Sequence, residues 1–158
     1  MSGAGAPDLE VDATGLRVAI IAGSWHEEVM GGLVAGAEET AAAFGAEHAV
    51  FRVAGAFELP LAAQAALGSG FDVAACLGVI IRGGTPHFDY VCDAVTEGLT
   101  RVQLDTGKPV GFGVLTTDTE QQALDRAGLP GSVESKGREA VEASLHLAVQ
   151  LRAIRAAA

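Results

Sequence analysis

The 158-residue chain reads as an α/β protein, a three-layer α/β/α sandwich of doubly wound type on a four-stranded parallel sheet. Three observations predict it. Four short runs rich in apolar and branched residues, at 16–22, 47–53, 73–81 and 110–116, each give way to a stretch of helical spacing. No linker or internal boundary interrupts that alternation, which places helices on both faces of one sheet. Hydrophobic residues make up 49% of the chain and charged residues 19%, enough apolar surface for a core and too much for global disorder. The division that follows is a flexible arm at 1–15 and a single domain at 16–158.

The arm is small, acidic and rich in Gly and Ala, with Pro7 inside it, and it is free to pack on a neighbour if the protein oligomerises. After the first strand, Ser24 with Glu27 makes a capping-box pattern for a helix that runs to about Phe44 and is closed by Gly45. Its small residues Gly32, Ala35, Gly36, Ala41 and Ala42 suit close packing. The second strand is weaker, and Gly55 to Pro60 turns the chain into a second helix that ends near Leu67, broken by Gly68-Ser69-Gly70.

Past the third strand, Thr85-Pro86 has the form of an N-cap and first helical position. The helix it opens carries Phe88, Val91, Val95, Leu99 and Val102 at helical spacing to about Asp105, and Gly107-Lys108-Pro109 stops it. Thr117 with Glu120 forms a second capping-box pattern, for a short helix ending near Gly128. A loop at Leu129-Pro130-Gly131 leads to a last helix from about Ser135 to Ile154. Its apolar face is Val141, Leu145, Ala148 and Leu151, and basic residues lie near its end.

Net charge of −10 argues against nucleic acid, which needs a basic footprint, and against anionic membrane surfaces. The apolar runs are too short to span a bilayer, and the first residues lack the basic start and apolar core of a signal peptide. Cys76 and Cys92 stand in no metal or redox spacing and read as buried thiols in a reducing cytoplasm. His26, His48 and His146 share no metal-like spacing. Gly111-Phe112-Gly113 lacks the third glycine of a dinucleotide fingerprint, and the P-loop spacing from Gly31 to Gly36 is followed by Ala37 instead of lysine.

Doubly wound sheets bind ligands beyond the carboxyl ends of their strands. Three strand ends carry unusual residues that should converge there: Ser24-Trp25-His26, Gly55-Ala56-Phe57-Glu58, and Arg82-Gly83-Gly84-Thr85-Pro86-His87. In the last, two glycines let the backbone approach a ligand, and the helix start favours an anion. Arg82 is available to add a full positive charge, and His87 falls in the first helical turn as a proton carrier beside this phosphate seat. Trp25 either packs at a helix start or stacks on a flat ring. Glu58 is either a solvated helix-start residue or an acceptor for ligand hydroxyls. Arg126 and Lys136 would by themselves read as solvated helix residues.

These stretches, with Gly78-Val79-Ile80-Ile81 ahead of the Arg-Gly-x-Thr-x-His-Phe run, Phe112-Gly113-Val114-Leu115-Thr116-Thr117, and Asp125-Arg126-Ala127-Gly128 followed by Lys136-Gly137, resemble the lumazine synthase family in order and spacing from about Leu16 to Leu151. The resemblance implies a flavodoxin-like sandwich. It also implies the penultimate step of riboflavin biosynthesis, in which 5-amino-6-(D-ribitylamino)uracil and 3,4-dihydroxy-2-butanone 4-phosphate condense to 6,7-dimethyl-8-ribityllumazine, phosphate and water. On it, Trp25 stacks on the pyrimidine, Ala56, Phe57 and Glu58 hold the ribityl chain, and backbone groups of Val79, Ile80 and Ile81 read the pyrimidine edge. Gly83, Gly84 and Thr85 bind phosphate, His87 moves protons, and Phe112, Arg126 and Lys136 reach the pocket from an adjacent subunit, Arg126 pairing with the leaving phosphate.

The resemblance calls for no metal and no cofactor, and for small-molecule substrates at the subunit interfaces of a homo-oligomer. The stretch 129–134 resembles that of pentameric members rather than capsid-forming ones, so a free cytoplasmic pentamer is expected. Gly84 departs from relatives that often bear a side chain there, which implies a looser phosphate loop. Two other classes stay open on the motifs: a non-catalytic flavin or lumazine carrier, and a phosphate-sensing regulatory domain. The acidic first-strand end of receiver-like domains is replaced here by Ser24-Trp25.

Overall fold

The computed structural model describes residues 4–158, so the first three residues of the N-terminal arm lie outside the described residues. Strands β1 (Arg17–Ala22), β2 (Glu47–Arg52), β3 (Val73–Ile81) and β4 (Val110–Thr117) form one sheet in the order β2-β1-β3-β4, every pair parallel. Helices α1 (Glu27–Ala43) and α5 (Lys136–Ala156) cover one face, and α2 (Leu59–Gly68) and α3 (His87–Thr106) the other. The five-residue α4 (Glu120–Leu124) follows β4. This is the doubly wound sandwich that the alternating pattern predicts.

The central strands are apolar apart from the exposed Arg17 that opens β1, because both of their faces are covered. Successive side chains of β1 serve different cores: Val18, Ile20 and Ala22 pack under α1 and α5, while Ala19 and Ile21 pack under α2 and α3. In β3, Val73, Ala75, Leu77 and Val79 join the first core, Ala74 and Cys76 the second. Burial without a partner pushes the Cys76 thiol up to about 12, so it packs as a small apolar residue. The chain ahead of β1 also touches the body of the fold. Ala13 is fully buried, its N–H donates to the Phe44 carbonyl at 2.8 Å, and Val11 packs on the first core.

Three helix starts differ from the sequence reading. Ser24 caps nothing. Its hydroxyl donates to the Val53 carbonyl at 2.8 Å, tying β1 to the end of β2, while His26 takes the N-cap position with φ 54° and no side-chain cap. Thr117 remains in β4, and the capping box forms two residues later, where the Thr119 hydroxyl accepts from the Gln122 N–H and the Gln122 carboxamide accepts in return. Regular hydrogen bonding of α3 begins at His87, one residue beyond the expected first position, although the Thr85 hydroxyl still accepts from the His87 N–H at 3.4 Å. The short helix also stops at Leu124, because the Asp125 carbonyl turns to accept from Val133 and Glu134.

The α1–α5 contact is a small-residue crossing. A methyl group at Gly137 would overlap the backbone carbonyl of Leu33, and one at Gly32 would overlap the carbonyl of Ala127. Gly31, one position along the same helix, faces open space. Gly137→Ala is expected to destabilise the fold by about 1–3 kcal/mol through overpacking. Gly31→Ala should stabilise it by about 0.5–1 kcal/mol through the unfolded chain. Urea denaturation of both variants reads the difference, and equal stability would mean the helices do not cross this closely.

Candidate active site

β1 and β3 are neighbours whose chains leave toward opposite faces of the sheet, β1 into α1 and β3 into α3. A crevice opens where such connections diverge. The register sharpens it. β1 pairs with β3 only as far as Ala22 against Leu77, whereas β4 follows β3 to Ile81 against Thr117. The last residues of β3, Gly78 to Ile81, therefore present their β1-side backbone edge with no strand laid along it. Val79, Ile80 and Ile81 lie on that overhang.

The other strand-end residues gather around it. The Trp25 indole sits against the backbone of Gly55, where an added Cβ would lie 3.1 Å from Nε1, and the side chain is 67% exposed. A 3-10 turn at Ala56–Glu58 follows, and Ala56 comes close enough to Gly78 that a Cβ there would stand 3.3 Å from its methyl group. Glu58 Oε2 accepts from the Gly55 N–H at 2.9 Å, so one carboxylate oxygen holds this turn while the side chain stays exposed. Phe57 points outward, 66% exposed.

Gly83 and Gly84 open onto free space, and Thr85 and His87 are exposed at the start of α3. Arg82 is engaged within the chain. Its Nε donates to Asp118 at 2.7 Å, Nη1 lies 3.5 Å from Asp89, and the guanidinium stacks 4.3 Å above the Phe88 ring.

Phe112, Arg126 and Lys136 form a second group. They line a cleft of about 520 Å³ along the outer side of β4, shared with Glu139 and Ser144 of α5. None of its lining residues belongs to the switch-point group. Phe112 pairs in register with Cys76, well back from the strand ends, and is 47% exposed on an edge strand. Arg126 and Lys136 are ten positions apart in sequence but adjacent in space. A bridge between Ala127 and Ser135 closes the intervening loop, and the Lys136 N–H donates to the Arg126 carbonyl at 3.0 Å.

The two cations differ electrically. Lys136 Nζ lies 2.8 Å from Glu134 and 2.7 Å from Glu139. Burial pulls its ammonium down, but hydrogen bonds to the two carboxylates outweigh that and leave its pKa raised. Arg126 donates from Nη1 to the Gln122 carbonyl at 2.8 Å, and among the described residues no carboxylate pairs with it. It is the cleft cation with charge to offer an anion. Glu134, Glu139, Asp89 and Asp118 escaped the sequence reading. A signal existed for Asp118 alone, since it follows β4 as Arg82 follows β3, but the signal becomes legible only once those strands are known to be neighbours. Among the described residues no cluster of His, Cys, Asp and Glu could hold a metal ion, and no helix is long and apolar enough to cross a membrane.

Fold and site together define a doubly wound α/β enzyme whose strand-end residues gather at the switch point between β1 and β3. The sequence profile of the 6,7-dimethyl-8-ribityllumazine synthase family matches residues 15–152. Relatives bearing that name include one from Leifsonia xyli, 64% identical over 98% of this chain and 99% of its own length. Another, from Clavibacter michiganensis, is 57% identical over 99% and 100%, and one from Micrococcus luteus is 59% identical over 96% and 98%. The chain belongs to the 6,7-dimethyl-8-ribityllumazine synthase family. It is a transferase, and its reaction is the penultimate condensation of riboflavin biosynthesis set out above.

The Lys136 pairs set a pH dependence. A lysine whose folded pKa is raised contributes stability fully below its ordinary value of 10.5 and loses it as pH rises through the higher folded value. Glu139→Gln should therefore cost stability at neutral pH, and as pH rises the gap from the unchanged protein should not close until that ordinary value is passed. Urea denaturation across pH checks this, and a gap that closes between neutrality and that ordinary lysine value would contradict the assignment.

Proposed function

We propose that the two groups of residues complete one another across a subunit boundary, and that the working enzyme is a homopentamer with its sites at the interfaces. The observation that carries this is the cleft on β4. Phe112, Arg126 and Lys136 stand together there, apart from Trp25 and the β3 overhang. An edge strand and an open cleft are natural docking surfaces for a second copy, and a closed ring satisfies every such face with one contact repeated. The domain division we propose is the arm at 1–15 and the body at 16–158. The protein works in the cytoplasm, where two unpaired cysteines stay reduced.

Within the site, Trp25 stacks on the pyrimidine, and the backbone of Val79, Ile80 and Ile81 hydrogen-bonds its edge. Ala56, Phe57 and Glu58 hold the ribityl chain, Glu58 accepting from hydroxyls through the oxygen that does not bind Gly55. Backbone N–H groups of Gly83 and Gly84 and the Thr85 hydroxyl receive the phosphate. Arg126 of the neighbouring copy approaches it as a planar fork, a geometry suited to phosphate oxygens. Phe112 and Lys136 wall the pocket from the same side.

The chemistry asks little of the protein beyond this. The amine of one substrate attacks the ketone of the other, and water leaves to form an imine. Phosphate departs next, and ring closure expels the second water of the condensation. Both reactants are reactive already, so holding them together supplies much of the acceleration. Electrostatic support of the departing phosphate adds to it. His87, exposed in the first turn of α3 beside the phosphate seat, moves the protons these steps require.

His87→Ala should slow turnover several-fold to tens-fold, or about 1–2 kcal/mol, at the low end of general acid–base help. Arg126→Ala should weaken phosphate-substrate binding by about 1.5–3 kcal/mol, the range for a hydrogen bond to a charged group, with little change in pyrimidine binding. Unfolding the two variants together and reassembling them should restore full activity at about one site in four by random mixing in a ring. Lumazine fluorescence and phosphate release are followed together, which also separates catalysis from product carriage. Mixed assemblies no more active than their parents would end the shared-site reading.

A further inference from the structure

We propose that Arg82 is a positioning residue for the phosphate-binding turn, acting through Asp118, Asp89 and Phe88 and never touching the ligand, an inference that rests on the reading of Gly83, Gly84 and Thr85 as the phosphate seat. Three contacts converge on its guanidinium: Asp118 beyond the end of β4 at 2.7 Å, Asp89 in the first turn of α3 at 3.5 Å, and the Phe88 ring at 4.3 Å. The Arg82 N–H also donates to the Thr117 carbonyl at 2.9 Å, continuing the β3–β4 ladder by one residue. Arg82 and its partners Phe88 and Asp89 flank the turn on either side. Their contact therefore closes residues 83–87 into a short loop whose two ends are held together.

Such closure matters because of what lies inside it. Gly83 and Gly84 have open space where side chains would be, and the one side-chain hydrogen bond within the turn is the 3.4 Å contact between the Thr85 hydroxyl and the His87 N–H. Two consecutive glycines carry the largest backbone entropy of any pair, and a ligand that ordered them would bind more weakly by that cost. An exposed ion pair alone contributes little. Here one planar group meets two carboxylates and a ring at once, and fixes where α3 begins relative to β4. The same brace sets the position of His87, the first residue of α3. A lysine could supply the charge but neither the fork nor the stacking.

This reading and a direct phosphate contact by Arg82 predict opposite signs. Steady-state kinetics with varied butanone phosphate are compared for Arg82→Ala, Arg82→Lys, Asp118→Ala and Thr85→Ala, with assembly checked by sedimentation. Arg82→Ala should raise KM for the phosphate substrate roughly tenfold while KM for the ribityl pyrimidine stays within about twofold, the size usual for loss of an orienting partner. Arg82→Lys should recover little of the loss. Asp118→Ala should raise the same KM, and because that side chain is 64% exposed it keeps the test open if Arg82→Ala does not assemble. A fall in KM on Asp118→Ala, or near-complete rescue by lysine, would show a freed or retained cation binding phosphate directly and overturn the proposal. If Arg82→Ala and Asp118→Ala leave KM unchanged while Thr85→Ala raises it, the phosphate seat stands and the brace is refuted. If Thr85→Ala itself has no effect, the seat reading falls and the inference falls with it.

Discussion

The register between β1 and β3 is the constraint on which the rest depends. β1 stops pairing at Leu77 and β4 does not, so the end of β3 projects with one backbone edge uncovered beside a crevice. Everything at the switch point is arranged around that overhang. The Ser24 hydroxyl ties the end of β1 to the end of β2, which aims Trp25 along Gly55. Gly78 admits Ala56 close to the strand, and the turn after Ile81 supplies glycines at the far side. Were β1 longer by two or three residues, its backbone would cover that edge.

Electrostatics on this acidic chain is local. With net charge −10, a general attraction for phosphate is absent, and the cations near the sites are mostly committed. Arg82 is held by two aspartates and Lys136 by two glutamates. These cations act as struts. Arg126 differs in holding only a backbone carbonyl among the described residues. Concentrating available charge at one guanidinium, against a background that repels anions, favours a ligand whose charge is placed to meet it.

Much of the fold was legible because the strands are buried on both faces. Continuous apolar runs bounded by glycine located β3 without error, and β1, β2 and β4 within one residue at either end. Helix starts were less legible. A Ser or Thr with a Glu three residues on is a local pattern, and at Ser24 a long-range partner, the Val53 carbonyl, outcompeted it. At Thr117 the strand simply continued to pair with Ile81. The motif from Arg82 to Phe88 was legible as a turn between β3 and α3, but the partners of Arg82 were not. A charged side chain is committed by whatever acids lie nearest in space, and Asp118 is thirty-six positions away in sequence.

The sequence by itself determined the class of the fold, the place of the glycine turn and, through its motifs, the family. Those are properties of hydrophobic period and local backbone chemistry, which neighbours along the chain decide. Only the tertiary structure decided that β3 outruns β1, that Arg126 and Lys136 meet across a closed loop, and that they share a cleft apart from Trp25. Each of these depends on which strands adjoin and how far their ladders extend. Contacts of that kind join residues far apart in sequence, and no local pattern encodes them.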